Sequence, residues 1–226
     1  MSIEKPNPGI SVFRMQPEEG KIPQFVPGQF VFIHALDSEG RSVQKRPYSI
    51  ASSPSAPYLE FCIRMVHGSL TSILEGMGIG AVVGIEGPMG HFTYAGERRA
   101  AFIAGGTGIA PIMSMLRDIA GKGTEGLFVL FYSVKTQEDI IYRKELAELE
   151  RSNPGIKAVI TLTKEERDGW VGECGRLSHE IISRHLPEAG DFSWWMCGPL
   201  EMIKSMKECV LGMGADAKKL KMEGWG

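Results

Sequence analysis

The sequence predicts two domains of different class: an antiparallel β-barrel over residues 1–96 and a doubly wound α/β domain with a parallel sheet over residues 97–226. The length of 226 residues suits two domains of about 100 residues each. The first part contains short strand-like runs separated by proline and glycine, which is typical of small barrels. From Arg99 onward, apolar strands alternate with amphipathic helices, and this alternation predicts a parallel sheet covered on both faces.

The predicted barrel consists of short strands and a single helix. The strands are expected at Ser11–Met15, Gln29–Ala35, Arg46–Ser52, Tyr58–Met65 and Ala81–Glu86. The helix is expected over residues Thr71–Gly76, and a hydroxyl residue at its start predicts Thr71 as the N-cap.

The second domain is predicted as successive units of one strand and one helix. The strands are expected at Ala100–Ala104, Leu127–Tyr132, Ala158–Leu162 and Ser193–Cys197. The helices are expected at Ala110–Ala120, Asp139–Arg151, Ser178–His185 and Glu201–Met213. We place the boundary between the domains near Gly96, where a glycine interrupts the chain.

The composition is that of an ordinary globular protein. Charged residues make up 23% and apolar residues 43%, with a net charge of −2, so a basic nucleic-acid-binding class is not favoured. The apolar runs are far shorter than the roughly 20 residues of a membrane span, and we expect a cytoplasmic protein. The cysteines and histidines lack metal-ligand spacing, so no metal site is predicted.

A glycine-rich turn follows the first strand of the second domain. Residues Gly105-Gly106-Thr107-Gly108-Ile109-Ala110-Pro111 lie between a buried strand and a helix, where backbone amides and the helix N-terminus can approach a diphosphate. A tight turn without a ligand is the alternative interpretation. The segment differs from the Gly-x-Gly-x-x-Gly dinucleotide motif.

Two further segments in the barrel also suit a nucleotide. Gly68 permits a sharp turn, and Thr71 offers a hydroxyl at a helix start that favours anions. A simple capped helix is the alternative.

In the strand around Arg46 and Tyr48, alternation puts these two side chains on one face and Ser49 on the other. The tyrosine ring can cover a flat cofactor ring while Arg46 reaches phosphates. An edge strand with a half-buried tyrosine is the alternative.

These motifs, followed by Met196-Cys197-Gly198-Pro199, occur in the order found in the ferredoxin–NADP reductase superfamily. The chain resembles a stand-alone flavin and nicotinamide module of that group over nearly its whole length. The resemblance implies that the barrel binds FAD and that the α/β domain binds NADP or NAD. One departure is visible, because residues 1–10 contain Pro6, Pro8 and Gly9 where the family has its first strand. The barrel edge there is expected to be open or covered by a partner.

The resemblance also implies roles for individual residues. Arg46 would bind the flavin diphosphate, Tyr48 would stack on the ring and Ser49 would lie near its N5. Other residues expected to bind FAD are Ile63, Arg64, Val66, Gly68, Leu70 and Thr71. Those expected to bind the nicotinamide nucleotide are Gly106, Thr107, Gly108, Lys135, Cys197 and Gly198.

The C-terminal tail is expected to return to the flavin. Met222-Glu223-Gly224-Trp225-Gly226 resembles family tails in which an aromatic residue shields the flavin face. Trp225 would be displaced during hydride transfer, and Glu223 would hydrogen-bond near N5; packing of Trp225 on the barrel is the alternative. With Ser49 and Glu223, Cys197 completes the predicted catalytic group. Cys197 has no basic partner in the sequence and is not expected to be a covalent nucleophile.

The predicted function is a reductase that takes a hydride from NAD(P)H onto FAD and passes electrons to a separate protein, such as a ferredoxin, a cytochrome or an oxygenase component. A non-catalytic flavoprotein subunit of a larger redox complex and a free-flavin reductase are the alternatives. Lys135 and Arg143 can accept a 2′-phosphate, which favours NADPH over NADH.

Overall fold

The computed structural model describes residues 2–66, 68–164 and 169–225. Its front half contains strands β1 (Ser2–Asn7), β2 (Ile10–Met15), β3 (Phe30–Leu36), β4 (Ser42–Ser49), β5 (Leu59–Arg64) and β6 (Gly84–Met89), and helix α1 (Ser69–Gly76). They form two antiparallel sheets with strand orders β1-β2-β5 and β4-β3-β6. An antiparallel bridge between Ile50 and Phe61 joins the two sheets. In β3, the buried residues Val31, Ile33 and Ala35 alternate with more exposed ones, and this two-residue period directs one face into the barrel core.

Strand β1 corrects the prediction for the N-terminus. It pairs with β2, with Ile3 opposite Phe13, and its side chains are half-buried or exposed. The register shifts between Glu4 and Asn7, the stretch that contains Pro6. Proline lacks a backbone N–H and is therefore tolerated at an edge strand or an irregularity of this kind. The chain itself thus supplies the strand that the sequence analysis expected to be missing.

The rear half contains strands β7 (Arg99–Gly105), β8 (Leu127–Val134), β9 (Ile156–Leu162), β10 (Glu173–Cys174), β11 (Ser193–Pro199) and β12 (Leu220–Trp225). Its helices are α2 (Ile109–Gly121), α3 (Arg143–Ser152), α4 (His179–His185) and α5 (Leu200–Gly212). All strand pairs are parallel, in the order β10-β9-β8-β7-β11-β12. Buried residues of α2 and α3 pack on one face and those of α4 and α5 on the other. The predicted fold class is therefore confirmed.

Several predicted boundaries differ from the observed ones. Helix α3 begins at Arg143 rather than Asp139, because a 3-10 turn over Gln137–Asp139 and a left-handed Tyr142 precede it. Strands β10 and β12 were not predicted as strands. The predicted boundary near Gly96 stays a prediction. Across the described parts of the chain, every helix falls short of the length and apolar composition needed to cross a bilayer.

A buried ion pair joins the two halves. Arg117 of α2 donates to both Glu60 of β5 and the Ala51 carbonyl at 2.7 Å, and to Glu145 of α3 at 2.6 Å. Arg14 donates to the second oxygen of Glu60 at 2.7 Å. Burial tends to raise the pKa of Glu60, but the charge of Arg117 and the hydrogen bonds from both arginines outweigh it and hold the pKa below its ordinary value.

Strand β12, near the C-terminus, contacts the segment around Thr93 that connects the two halves. Lys221 of β12 donates to the Thr93 carbonyl at 2.6 Å, and the indole N–H of Trp195 donates to the same oxygen at 3.1 Å. The connecting segment is therefore fixed by the last strand of the sheet.

Candidate cofactor-binding site

A cavity of 530 Å³ opens where β4, β5, α1, the glycine turn and the tail meet. Many residues predicted for the site line it: Arg46, Tyr48, Ser49, Arg64, Val66, Gly68, Leu70, Thr71, Thr107, Glu223 and Trp225. The sequence analysis missed Phe30, Pro47, Cys62, Ser69, Ala110 and Gly224, which also line it. Strand register would have found two of them, because Phe30 lies opposite Ser49 and Cys62 alternates with Arg64 on β5.

One wall of this cavity comes from the end of β4. Arg46 and Tyr48 both line it, as the strand alternation predicts. Ser49 lines it too, although alternation assigned it to the other face, and it is the last residue of the strand. Burial raises the pKa of the Tyr48 phenol, with the charge of Arg46 acting in the opposite direction. Tyr48 therefore offers a neutral ring beside a cation.

Another wall is the N-terminus of α1. Gly68 is the N-cap, and Thr71 lies three residues later, so the prediction of Thr71 as N-cap was wrong. The Thr71 hydroxyl accepts from the Gly68 N–H at 2.9 Å and donates to the Gly68 carbonyl at 3.1 Å. This fixes the turn and leaves the first amides of the helix, at Ser69 to Thr71, without intrahelical acceptors. Such an end carries partial positive charge that favours an anion.

A second cavity, of 330 Å³, adjoins the first at the carboxyl ends of the parallel strands. Gly106 and Lys135 line it, and Arg64, Thr107 and Trp225 line both cavities. The Arg64 guanidinium lies 3.3 Å from the position that a Cβ on Gly106 would occupy. Among the described residues, Arg64 has no hydrogen-bond or ion-pair partner. A cation with no counter-ion among the described residues therefore lies between the two cavities.

The glycines of the turn have different physical roles. Gly106 has a φ of +52°, a left-handed conformation that favours glycine. Gly108 has an ordinary φ of −61°, but a Cβ there would lie 2.1 Å from the Cys197 carbonyl oxygen. Gly106 is thus required for its backbone conformation and Gly108 for the space it leaves. Gly108 lies beneath the turn, outside the lining of both cavities.

The tail reaches the first cavity because β12 is the edge strand beside β11. In that register Glu223 lies opposite Cys197 and Trp225 opposite Pro199. Burial raises the pKa of Glu223, and its Oε2 atom is buried without a hydrogen-bond partner in the described part of the chain. An orphaned carboxyl oxygen at a cavity wall is costly unless a ligand or water pairs with it.

Besides Gly108, the predicted residues Ile63, Cys197 and Gly198 lie outside the lining of both cavities. Ile63 is buried in the barrel core. Cys197 is 1% exposed, and burial, followed by the charge of Glu223, raises the pKa of its thiol well above the ordinary value. The thiol is therefore neutral, as expected for a cysteine that is not a nucleophile. Gly198 packs against Gly105 and Met202 behind the turn.

A third cavity, of 280 Å³, shares Ser133, Thr163 and Met202 with the second. Arg176 and Glu201 also line it. The sequence analysis did not select Arg176, although it follows the short strand β10 at the ligand-binding edge of the sheet. Arg143, which was expected near a 2′-phosphate, lies over the Trp170 ring at 5.8 Å and donates to Gln137. It lines none of the three cavities.

The arrangement fits a bound flavin nucleotide beside a second nucleotide. One cavity is faced by a neutral aromatic ring, by helix amides without intrahelical acceptors, and by an arginine and a carboxyl oxygen that have no partner within the part of the chain that the structure describes. It adjoins another cavity at the edge of a parallel sheet. These groups match the flat ring and the diphosphate of the cofactor predicted from the sequence.

Comparison with protein families gives two matches. Residues 4–94 match the oxidoreductase FAD-binding domain, and residues 102–208 match the oxidoreductase NAD-binding domain.

Individual relatives agree with these matches. NADH-cytochrome b5 reductase 1 of Debaryomyces hansenii is 31% identical over 198 residues, which are 85% of this chain and 69% of that protein. The glycine betaine monooxygenase reductase subunit of Chromohalobacter salexigens is 29% identical over 211 residues, covering 89% of this chain and 56% of that protein. The structure of a ferredoxin NADP+ reductase from Neisseria gonorrhoeae with bound FAD and NADP has a TM-score of 0.81 at 21% identity, and the match covers 98% of this chain and 95% of that one.

Proposed function

The chain belongs to the ferredoxin–NADP reductase superfamily, and from this premise we propose how its residues carry out the reaction. It is an FAD-dependent NAD(P)H oxidoreductase that passes electrons to a separate acceptor. We assign FAD to the first cavity and the nicotinamide nucleotide to the second. FAD, when bound, supplies the ring that accepts a hydride and releases electrons to the acceptor.

The first cavity provides the groups that hold FAD. Tyr48 would cover the ring, and the helix amides after Gly68 would bind the diphosphate, with Arg46 neutralising its charge. Arg64 lies between the cavities, where its charge acts on both nucleotides. The second cavity provides Gly106 and Thr107 for the coenzyme diphosphate.

The reacting region is shaped by Ser49, Glu223, Cys197 and Trp225. Ser49 lines the first cavity and would hydrogen-bond near N5 of a bound flavin. The raised pKa of Glu223 keeps its carboxyl protonated to a higher pH than an ordinary glutamate, so that it can donate a hydrogen bond. Trp225 is 42% exposed on an edge strand and lines both cavities, so it would have to move to admit a nicotinamide ring to the flavin. Cys197 supports the floor of the site as a neutral thiol.

The observation that carries this assignment is that Arg64, Thr107 and Trp225 line both cavities. Two nucleotides bound there would have their reacting ends in contact, as hydride transfer requires. We expect the purified protein to be yellow and to lose its flavin absorbance when NADH or NADPH is added without oxygen. A colourless protein, or one whose colour survives both coenzymes, would contradict the proposal. The second of these outcomes is the one expected of a non-catalytic subunit.

Replacing Tyr48 tests the flavin site directly. Tyr48→Ala removes a ring worth about 2–3 kcal/mol of buried contact, so FAD binding should weaken roughly 30- to 150-fold. The measurement is the FAD-to-protein ratio after gel filtration, followed by titration with FAD. Tyr58→Ala is the matched control, since that ring lies beside Arg14 on another part of the barrel. Equal FAD retention in the two variants would refute the role of Tyr48. A wild-type protein that itself released flavin on the column would indicate a free-flavin reductase.

We propose that the acceptor is a separate redox protein, such as a cytochrome, an oxygenase component or a ferredoxin. The names of the relatives, a cytochrome b5 reductase and an oxygenase reductase subunit, support the first two. A cytoplasmic location is part of this proposal and is supported by four free cysteines.

We propose that Lys135 influences the choice between NADPH and NADH. It lines the second cavity at the carboxyl end of β8, where the adenosine part of the coenzyme would lie, and Arg176 lines the adjoining third cavity. Lys135→Gln should lower kcat/KM for NADPH about 5- to 10-fold more than for NADH, because only NADPH carries the 2′-phosphate. Lys157→Gln on β9 is the control. Equal losses of kcat/KM with both coenzymes would exclude a contact between Lys135 and the 2′-phosphate. If NADH is the better substrate of the unsubstituted protein, the NADPH preference expected from the sequence is wrong.

A further inference from the structure

The Tyr132 hydroxyl lies directly beneath the glycine turn. The side chain is fully buried at the end of β8, where Tyr132 pairs with Ala104 of β7. Its hydroxyl donates to the Gly106 carbonyl at 3.1 Å. One buried hydroxyl of β8 is thus bonded to the backbone of the turn.

The bond to Gly106 fixes the orientation of a peptide group. The Gly106 carbonyl also accepts from the Ile109 amide within the 3-10 turn, so both of its lone pairs are used. In a trans peptide the carbonyl and the following N–H point in opposite directions. Because the Gly106 carbonyl points at Tyr132 in the interior, the Thr107 N–H points away from it. Thr107 lines both cavities.

We infer that Tyr132 is a positioning residue for the nicotinamide nucleotide: by holding the Gly106 carbonyl in the interior, it presents the Thr107 amide to the coenzyme diphosphate. The inference rests on the proposed function, since it assigns a diphosphate to this turn. Tyr132 acts through Gly106 and does not touch the coenzyme. Neither the sequence motifs nor the cavity lining identifies it, because its side chain lies under the turn.

The alternative is that Tyr132 only fills the core. Tyr132→Phe separates the two because it keeps the ring and removes only the hydroxyl. The chain also offers a matched control. Tyr94 is likewise a buried tyrosine whose hydroxyl donates to a backbone carbonyl, that of Glu97 at 2.9 Å, near the connection between the domains. Tyr94→Phe removes an equivalent hydrogen bond away from the turn.

The experiment measures binding of NAD+ and NADP+ to each FAD-loaded variant by titration calorimetry. Tyr132→Phe should weaken binding about three- to tenfold, a limited loss because the Ile109 amide still holds the Gly106 carbonyl. FAD content should not change, and KM for the reduced coenzyme should rise by the same factor while kcat with ferricyanide as acceptor stays constant. Tyr94→Phe should leave both binding and KM unchanged.

Each result has a distinct meaning. Equal nucleotide affinities for Tyr132→Phe and Tyr94→Phe would overturn the inference. A wild-type protein that binds neither nucleotide would overturn the proposed function instead. Should Tyr132→Phe fail to fold, hydrogen exchange on the unsubstituted protein replaces it. NAD+ or NADP+ should then slow exchange at the Thr107 amide, and an unchanged rate with both would refute the inference.

Discussion

Gly108→Ala is expected to lower kcat/KM for the nicotinamide coenzyme by at least about 100-fold. The added Cβ would lie 2.1 Å from the Cys197 carbonyl oxygen, 2.6 Å from its carbon and 2.9 Å from the Trp225 ring. Neither the strand backbone nor the turn can yield without moving the other, and small displacements of positioned groups cost about 100-fold in rate. The backbone of Gly108 is itself in an ordinary helical conformation, so the clash is the only source of the effect.

Gly121→Ala provides the control for this substitution. Gly121 ends α2, the helix that begins after Gly108, and a Cβ there would have no neighbour within 4 Å. The control should retain full activity and stability, since alanine is the better helix former. Steady-state kinetics of both variants measure kcat/KM, and thermal unfolding measures their stability. Retention of wild-type kcat/KM by Gly108→Ala would mean that the turn is not packed against β11 as the structure has it.

The sequence predicted the fold class because the two periodicities are strong. The alternation in β3 and the apolar strands β7, β8 and β11 are local patterns, and local patterns can be interpreted without a structure. Strand β1 could not be predicted in that way. Its side chains are largely exposed and it contains Pro6, so it owes its existence to pairing with β2.

The residues of the candidate site also differ in whether a local sequence pattern predicts them. Tyr48, Thr107 and Glu223 belong to short segments whose residue types predict their chemistry, and all three line the cavity. Tyr132 belongs to an ordinary apolar strand, and its importance depends on which carbonyl its hydroxyl meets. Thr71 shows a finer limit of the sequence. Its hydroxyl was expected to cap the helix, but Thr71 lies at the third helical position, because the chain enters the helix already at Gly68.

Arg117→Met is expected to destabilise the protein by about 3 kcal/mol, because it removes one of the two arginines that pair with the buried carboxylate of Glu60. The remaining bond from Arg14 keeps the loss at the lower end of the range for breaking a buried ion pair, about 3–5 kcal/mol. The Glu60 side chain is 0% exposed and that of Arg117 is 12% exposed, so solvent cannot replace the lost partner. Chemical denaturation at pH 7 measures the loss. The control is Arg151→Met, which removes an arginine from an exposed pair with Glu148 and should cost less than about 1 kcal/mol. Similar losses in the two variants would mean that the Glu60 pair does not contribute as a buried one.

The pH dependence separates the charge effect from lost packing. In the wild type, the pKa of Glu60 is lowered in the folded state, so the carboxylate contributes stability above its unfolded pKa of about 4.3, and this stability is lost as the pH falls through the folded pKa. Without Arg117, burial acts against fewer partners, of which Arg14 remains, so the folded pKa of Glu60 should rise relative to the wild type and its carboxylate should contribute less stability to the variant at pH 7. The difference in unfolding free energy between the two proteins should therefore shrink as the pH falls from 7 towards 4. A difference that stays constant over this range would assign the effect to packing around the Arg117 side chain rather than to the charge of Glu60.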